Sequence, residues 1–360
     1  YFLLFCTLFS VILHGQNKVT GSLTSGQNTY EWIILYQLKG SSQQYMLNTN
    51  ITEGNFSFEM PENATPGIYR INYDANNSGF VDVIFNNEDI ALQFDPENPL
   101  SSLTFSKSVE NILFQDYFIQ GAMKEAILDS IQYVSFRSNP TDQATAEAYK
   151  QHLTEYKALQ QTFEEKSTNT IAQHFIKAEQ KYYAPELIES PQEYLNEVKA
   201  HYFDNLDLIS PVLNNSSLIT ERIVDFVFYL NTSNDFEVQQ QLYKRSVEEV
   251  MAKFEGHEQQ KKETIVTLLH AFSQMENLEL AEYVIDNQHN KLPEALQEPS
   301  LIDELNHNMR LVIGKIAPDF DLNYKGLPKS LHTIEGATNY IIVFWSSTCP
   351  HCLEEMPKLH

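Results

Sequence analysis

Cysteine is the scarcest reactive residue in this sequence, with three among 360 residues. They are Cys6, Cys349 and Cys352. A small secreted fold held together by several disulfides needs more paired cysteines than this, so that class of protein is excluded. A zinc site built from two C-x-x-C pairs is excluded as well, because the sequence has one such pair. The few thiols therefore have to be explained by chemistry other than a structural framework.

Basic residues are also few, since 24 lysines and arginines face 48 aspartates and glutamates. The formal net charge is −24, and the acidic residues are spread along the chain. Nucleic-acid binding depends on neutralising phosphates with basic side chains. No nucleic acid is therefore expected as a partner.

Long hydrophobic runs are confined to residues 1–15, and a polar segment starts at Gln16. This run is shorter than a comfortable membrane span, and it is typical of the apolar part of a secretory signal. We therefore assign residues 1–16 to a signal peptide that is clipped at its start, because the initiating Met and the basic leader are missing. An uncleaved membrane anchor is the alternative. Lipidation at Cys6 is disfavoured because Phe5 stands where such sites have a small residue.

Length and composition indicate a multidomain protein. A chain of 360 residues with 42% hydrophobic and 12% aromatic residues exceeds what one core usually organises. No convincing fixed-period repeat is present, so a solenoid of identical units is not supported. We expect two domains after the signal and the start of a third.

Residues 17–106 are rich in alternating and β-branched runs that are separated by turn residues, so they predict an antiparallel β-sandwich. Turn signals such as Glu53-Gly54 and Pro66-Gly67 separate the runs. The candidate strands include residues 31–38, 55–60, 68–73, 81–85 and 89–94.

Residues 107–312 change to an apolar period of about 3.6, which predicts a helical domain of seven or eight helices. Helix breaks are expected at Asn139-Pro140, Pro185, Ser190-Pro191, Ser210-Pro211, Gly256 and Pro293. Three aromatic clusters, Tyr182-Tyr183, Tyr202-Phe203 and residues 226–229, are interpreted as packing core, with a ligand groove as the alternative.

The motif Cys349-Pro350-His351-Cys352 follows the apolar run 340–345, which predicts a strand, and it opens a segment that predicts a helix. A cysteine at a helix N-terminus is favoured as the thiolate by free backbone N–H groups and by the helix dipole. With Cys6 removed in the signal, the two remaining cysteines are best explained as a dithiol that cycles with its disulfide. A zinc site would need two further ligands. Haem attachment needs His where Leu353 stands.

Three motifs stand in the region 313–360. They are Gly314-Lys315-Ile316-Ala317-Pro318-Asp319-Phe320-Asp321-Leu322, then residues 341–352, then Glu355-Met356-Pro357-Lys358-Leu359. With these motifs, the region resembles the opening of an exported thioredoxin-like thiol-disulfide oxidoreductase of the TlpA/ResA type, in the AhpC/TSA-like superfamily. The β-rich and helical regions before it, including residues 201–208, resemble the accessory regions of such proteins in the envelope of Gram-negative bacteria.

The resemblance implies a C-terminal α/β thioredoxin fold that is incomplete, because the sequence ends at His360 before the expected cis-proline loop. It implies that Cys349 forms the mixed disulfide and that Cys352 resolves it. Pro350 and His351 would tune the thiolate, while Trp345 and Pro357 would shape the site. Neither a cofactor nor a metal is implied.

The same resemblance implies protein thiols and disulfides as substrates, a membrane electron-transfer partner, and a location in the periplasm or cell envelope. The direction of electron flow stays open, because a Pro-His pair is typical of strong oxidants whereas the wider family is associated with reduction.

Two other functions remain open from the sequence. A peroxiredoxin-like peroxidase is one, because the Ala317-Pro318-Asp319-Phe320 segment also opens such domains. A non-enzymatic envelope binding protein, in which the sandwich and helices recognise a ligand, is the other.

Overall fold

The computed structural model describes residues 17–26, 29–74, 79–137, 142–309, 316–324 and 326–359. The chain divides into two compact units, Tyr1–Pro299 and Ser300–His360, and each is described by itself. The domain boundaries predicted at 106 and 312 stay predictions. The predicted signal peptide, Cys6 and the break at Asn139-Pro140 lie outside the described residues. Within the described ranges, no helix has the length and apolar character needed to cross a membrane.

Eight strands of the first unit form two four-stranded sheets. The first sheet has the order β4-β1-β7-β8 and the second has the order β3-β2-β5-β6. The strands are β1 (Lys18–Leu23), β2 (Trp32–Lys39), β3 (Ser42–Asn50), β4 (Asn55–Glu59), β5 (Gly67–Asn72), β6 (Phe80–Phe85), β7 (Ile90–Phe94) and β8 (Thr104–Lys107).

The two sheets contribute side chains to one hydrophobic core. Alternate residues of β2 point inward, so Ile33 and Leu35 are completely buried while their neighbours are partly exposed. From the first sheet, Val19 and Phe94 reach the same core, and both are completely buried. The period-2 pattern of the sequence therefore decides which face of each strand is covered.

The prediction of a purely antiparallel sandwich is correct for the second sheet and wrong for the first. β1 and β7 pair in parallel, with Val19 opposite Ile90 and Leu23 opposite Phe94. Between these strands the chain passes through the second sheet, so β7 returns over a long connection rather than through a hairpin. A hairpin forces antiparallel pairing, whereas a long connection leaves both directions open.

After a short helix α1 (Pro99–Ser102), the described residues up to 309 contain ten α-helices, rather than the seven or eight predicted for residues 107–312. They are α2 (Val109–Ser135), α3 (Gln143–Lys166), α4 (Ala172–Glu179), α5 (Pro191–Ala200), α6 (Pro211–Asn214), α7 (Leu218–Val224), α8 (Phe236–Ala252), α9 (Glu258–Gln274), α10 (Leu278–Asn287) and α11 (Pro299–Met309), the last of which crosses into the second unit.

Most of the predicted helix breaks coincide with ends of helices in the structure. Ser190 caps α5 and Ser210 caps α6, each through its side chain, and proline follows at the first helical position. Proline is tolerated there because that N–H has no intrahelical partner. Gly256, with φ of +80°, separates α8 from α9. The extra helices are short ones such as the four-residue α6, which apolar periodicity cannot resolve.

Helix α2 joins the helical part to the second sheet through Asn111, which is 3% exposed. Its side-chain oxygen accepts the N–H of Ile84 at 2.8 Å, and its amide donates to the carbonyl of Ile84 at 2.7 Å. Ile84 lies on β6, the edge strand of the sheet. Asn111 therefore satisfies backbone groups that an edge strand would otherwise leave unpaired.

A second junction places α6 against β5. The carbonyl of Asn215 accepts the N–H of Ile68 at 2.8 Å, and its side chain donates to the carbonyl of Pro66 at 3.0 Å. Gly67 has φ of +157°, and a Cβ there would lie 2.5 Å from the Cβ of Asn215. The close approach of these two backbones therefore requires glycine.

Besides residues 300–309 of α11, the second unit contains a small hairpin and a short helix among its described residues. The hairpin is β9 (Asp321–Tyr324) with β10 (Leu327–Ser330), and a 3₁₀ turn, Leu331–Thr333, follows it. The helix is α12 (Pro350–Glu355), and the 3₁₀ segment Met356–Leu359 continues it.

The strand predicted at 340–345 is not formed, and the described residues of this unit do not show the predicted α/β thioredoxin fold. Ile341 and Phe344 are 83% and 86% exposed. A strand exists only when its backbone groups pair with a neighbour, and no described segment pairs with residues 340–345. An apolar β-branched run alone is therefore not sufficient.

Candidate dithiol site

A tight turn leads the chain into the two cysteines. The N–H of Thr348 donates to the hydroxyl of Ser346 at 3.3 Å, and the N–H of Cys349 donates to the carbonyl of Ser346 at 3.1 Å. The hydroxyls of Ser346 and Thr348 are also hydrogen-bonded, at 2.9 Å. Small hydroxyl residues favour such turns because they bond to nearby backbone. The turn places Cys349 at the start of α12.

Cys349 is the N-cap residue of α12. Its backbone is extended, with φ of −90° and ψ of 112°, and its Sγ accepts the N–H of Cys352 at 3.4 Å. Its carbonyl accepts the N–H of Leu353 at 3.1 Å, which closes the first helical turn. Pro350 stands at the first helical position, where no N–H is lost. Because two residues separate the cysteines, one helical turn brings the N–H of Cys352 to the sulfur of Cys349.

The surroundings of Cys349 favour its ionised form. The pKa of the Cys349 thiol is lowered, first by a hydrogen bond from the Cys352 side chain and then by the backbone N–H of Cys352. The backbone N–H of His351 adds a smaller effect in the same direction. Donors directed at a sulfur stabilise negative charge on it. The surroundings of Cys349 therefore favour its thiolate.

Both cysteines are reduced and partly exposed. No difference in burial class separates Cys349 from Cys352. Trp345 is 52% exposed and lies in the irregular segment that precedes the turn. His351 is exposed as well.

Pro357 lies in the 3₁₀ segment that follows α12, one residue after Met356. The N–H of Met356 still bonds to the carbonyl of Cys352, but proline has no N–H to continue the helical pattern. The change from α to 3₁₀ geometry at this point follows from that missing donor. Lys358 pairs with Glu355 at 2.6 Å, so the charge of this carboxylate near the motif is offset.

A contact that the sequence did not indicate ties the segment before β9 to the turn after β10. The ring Nε2 of His332 lies 2.7 Å from the carbonyl of Ala317, and its backbone N–H donates to Asp319 at 3.1 Å. That backbone donor is the largest cause of the lowered pKa of Asp319. His332 therefore positions the Ala317-Pro318-Asp319 segment.

The described residues contain no group of three or more His, Cys, Asp or Glu side chains that could hold a metal ion. Comparisons with protein-family models, with curated proteins and with solved structures found no match. What can be said about the chemistry of this site therefore comes from the motif and from its geometry.

Replacing His351 by alanine is expected to raise the pKa of Cys349. The backbone N–H of His351 survives the substitution, so the change isolates the effect of the imidazole, which in its protonated form favours a thiolate. Alkylation by iodoacetamide becomes faster as pH rises through the thiol pKa, so its midpoint should move to higher pH. The midpoint is measured by mass spectrometry after short reactions across a pH series.

The matched control is His307→Ala, which removes an exposed histidine from α11. Its alkylation profile should coincide with that of the unmodified protein. A His351→Ala profile that also coincides would assign the lowered pKa to Cys352 and the backbone alone.

Proposed function

We propose that this chain belongs to an exported thiol-disulfide oxidoreductase of the TlpA/ResA type, which exchanges disulfides with protein partners through Cys349 and Cys352. The observation that carries the proposal is the position of Cys349. Its sulfur caps a helix, accepts the N–H of Cys352, and has a lowered pKa. The proposal includes the α/β thioredoxin fold for the whole protein and an envelope location.

The exchange follows two substitutions at sulfur. The Cys349 thiolate attacks one sulfur of a client disulfide, the client S–S bond breaks, and the released client thiolate takes up a proton. The product is a mixed disulfide between Cys349 and the client. Cys352 then loses its proton and attacks the Cys349 sulfur, which releases the second client thiol. The protein is left with a Cys349–Cys352 disulfide after donating two electrons.

The reverse sequence oxidises a client dithiol and reduces the Cys349–Cys352 disulfide. The reduction potentials of the two pairs decide which direction runs, and 30 mV corresponds to about 1.4 kcal/mol for this two-electron exchange. A membrane electron-transfer protein would restore the starting state after each cycle. Pro350 and His351 lie between the cysteines, so they are the residues through which the potential can be adjusted.

Trapping with Cys352→Ser tests the proposal in the full-length protein. Without the second thiol, the mixed disulfide cannot be resolved, so Cys349 should accumulate adducts with disulfide-bonded insulin that dithiothreitol releases. The double variant Cys349→Ser/Cys352→Ser is the control and should form none. Adducts of equal amount in both variants, or none in either, would contradict the proposal. Peroxide consumption without insulin reduction would instead identify a peroxidase.

A further inference from the structure

One cleft in the first unit lies beside the β2–β3 turn and has a volume of about 550 Å³. Hydroxyl and amide side chains dominate its lining, which also contains two lysines, Lys39 and Lys262, and Lys262 is already paired with Glu298. Its aromatic residue, Phe254, is 1% exposed. This lining does not single out one kind of ligand.

Another cleft of the same unit has a more specific lining, in which tyrosines predominate. It has a volume of about 190 Å³ and lies between the end of α4, the segment after it, α5 and α7. We call it the tyrosine cleft. The tyrosines that line it are Tyr182, Tyr183, Tyr194 and Tyr202.

Three carboxylates and two basic side chains form the polar groups in and below the tyrosine cleft. Arg222 donates to Glu179, and Lys181 lies 2.8 Å from Glu125 and 4.0 Å from Asp129. The hydroxyl of Tyr183 donates to Asp129 at 2.8 Å. Asp129 and Glu179 balance Lys181 and Arg222 in the lining of the cleft, and Glu125, which contacts Lys181 without lining the cleft, leaves one negative charge in excess.

Burial of these groups makes the excess charge unfavourable without a partner. The excess lies on Glu125 and Asp129, which share Lys181, and their side chains are 15% and 50% exposed. A cation bound nearby would offset the excess negative charge, whereas an anion would increase it.

We propose that the tyrosine cleft binds a small organic cation, an alkylammonium group such as the head of choline or the end of a lysine side chain. Tyrosine ring faces attract ammonium groups, and the excess carboxylate charge adds to that attraction. The cleft would hold about six water molecules at liquid density, so it fits one head group rather than a large ligand. This inference does not depend on the dithiol chemistry proposed above.

A choline head group and the end of a lysine side chain both carry an alkylammonium ion, so the same residues of the tyrosine cleft would recognise either one. Helix α5 supplies Tyr194 and Val198 to the cleft and has no fully buried residue. Tyr182 is held in place by stacking on His201, with ring centroids 4.0 Å apart, and by donating to Glu197 at 3.3 Å. The side chain of Tyr182 is therefore in place without a ligand. Helix α5, which forms one wall of the cleft, buries none of its residues completely.

Calorimetric titration with tetramethylammonium chloride and with choline chloride tests the proposal on the whole protein. Each is compared with 3,3-dimethyl-1-butanol, the uncharged isostere of choline, at matched ionic strength. Saturable binding of the two ammonium compounds, with no detectable binding of the alcohol, is the expected result. n-Butylammonium, the analogue of a lysine side chain, distinguishes the two sources of the head group.

Two variants locate the binding. Tyr194→Leu should weaken ammonium binding about two- to thirtyfold, the range that one cation–π contact supplies. Asp129→Asn should weaken it most at low salt, since screening already reduces this charge effect at high salt. Tyr133→Leu is the control, because Tyr133 is 54% exposed on α2 and is absent from the lining of the cleft.

Thermal unfolding of each variant confirms that it folds before its affinity is compared. The proposal is overturned if none of the ammonium compounds binds, or if the uncharged alcohol binds as tightly as choline. It is also overturned if Tyr194→Leu keeps the affinity of Tyr133→Leu.

Discussion

Replacing Cys349 by serine should abolish insulin reduction by the full-length protein. Cys349 is the thiol whose sulfur accepts the N–H of Cys352 and whose pKa is lowered. A serine hydroxyl at the same position stays protonated and cannot form a disulfide, so neither the first substitution nor the mixed disulfide can occur. The turbidity of insulin chains released in the presence of dithiothreitol measures the loss.

Cys352→Ser is the informative comparison, because it also stops turnover but leaves the first step intact. It should give up to one dithiothreitol-sensitive adduct per chain, whereas Cys349→Ser should give none. The fold should be unaffected in both variants, since the site is exposed and a serine is also a good helix cap. Insulin reduction by Cys349→Ser at the rate of the unmodified protein would show that the motif is not the reactive centre.

Asn111→Ala should destabilise the protein by about 2–5 kcal/mol, the largest effect on stability that we expect from a single polar residue. The substitution leaves both the N–H and the carbonyl of Ile84 without their buried partner. Each orphaned backbone group costs about 1–3 kcal/mol when water cannot replace the lost bond. The free energy of unfolding, measured in urea for both proteins, gives the difference directly.

Gln120→Ala is the matched control because Gln120 is an exposed residue of the same helix, α2. A surface change of this kind is expected to alter stability by no more than about 0.5 kcal/mol. Equal stabilities for Asn111→Ala and Gln120→Ala would mean that water reaches Ile84 and that Asn111 does not hold β6 to the helical part.

The strands whose pattern the sequence shows plainly were predicted close to their true ends. The predicted segments 31–38, 68–73 and 81–85 correspond to Trp32–Lys39, Gly67–Asn72 and Phe80–Phe85. The candidates did not include β3, because its nine residues are mostly polar and exposed. That strand exists because β2 offers a partner across the Gly40 turn, where φ is +55°.

Some residues of the aromatic clusters pack in the core and others line a cleft, and the sequence does not show which do which. Phe203 and Phe226 are buried and pack against each other, with ring centroids 4.9 Å apart, as the core interpretation predicted. Tyr182 and Tyr202 line the tyrosine cleft instead. Neighbouring positions along a chain point in different directions, so adjacency in sequence does not decide which side chain meets the core.

Part of the candidate dithiol site could be predicted from the sequence and part could not. The spacing of Cys349 and Cys352, with Pro350 after the first, was sufficient to predict a helix start with a favoured thiolate. The strand expected before it was not formed, because its pairing depends on a partner elsewhere in the chain. His332 could not have been found from its neighbours, since its contact with Ala317 spans 15 residues.

Local chemistry alone determined the helix starts at Pro191, Pro211 and Pro350, the inward faces of the strands, and the placement of Cys349 over the N–H of Cys352. These features depend on residues within one turn or on alternation along one strand. The parallel pairing of β1 with β7, the capping of β6 by Asn111, and the meeting of four tyrosines at one cleft were decided by the tertiary structure. Each of them joins groups far apart in the chain, and only packing brings such groups within reach of each other.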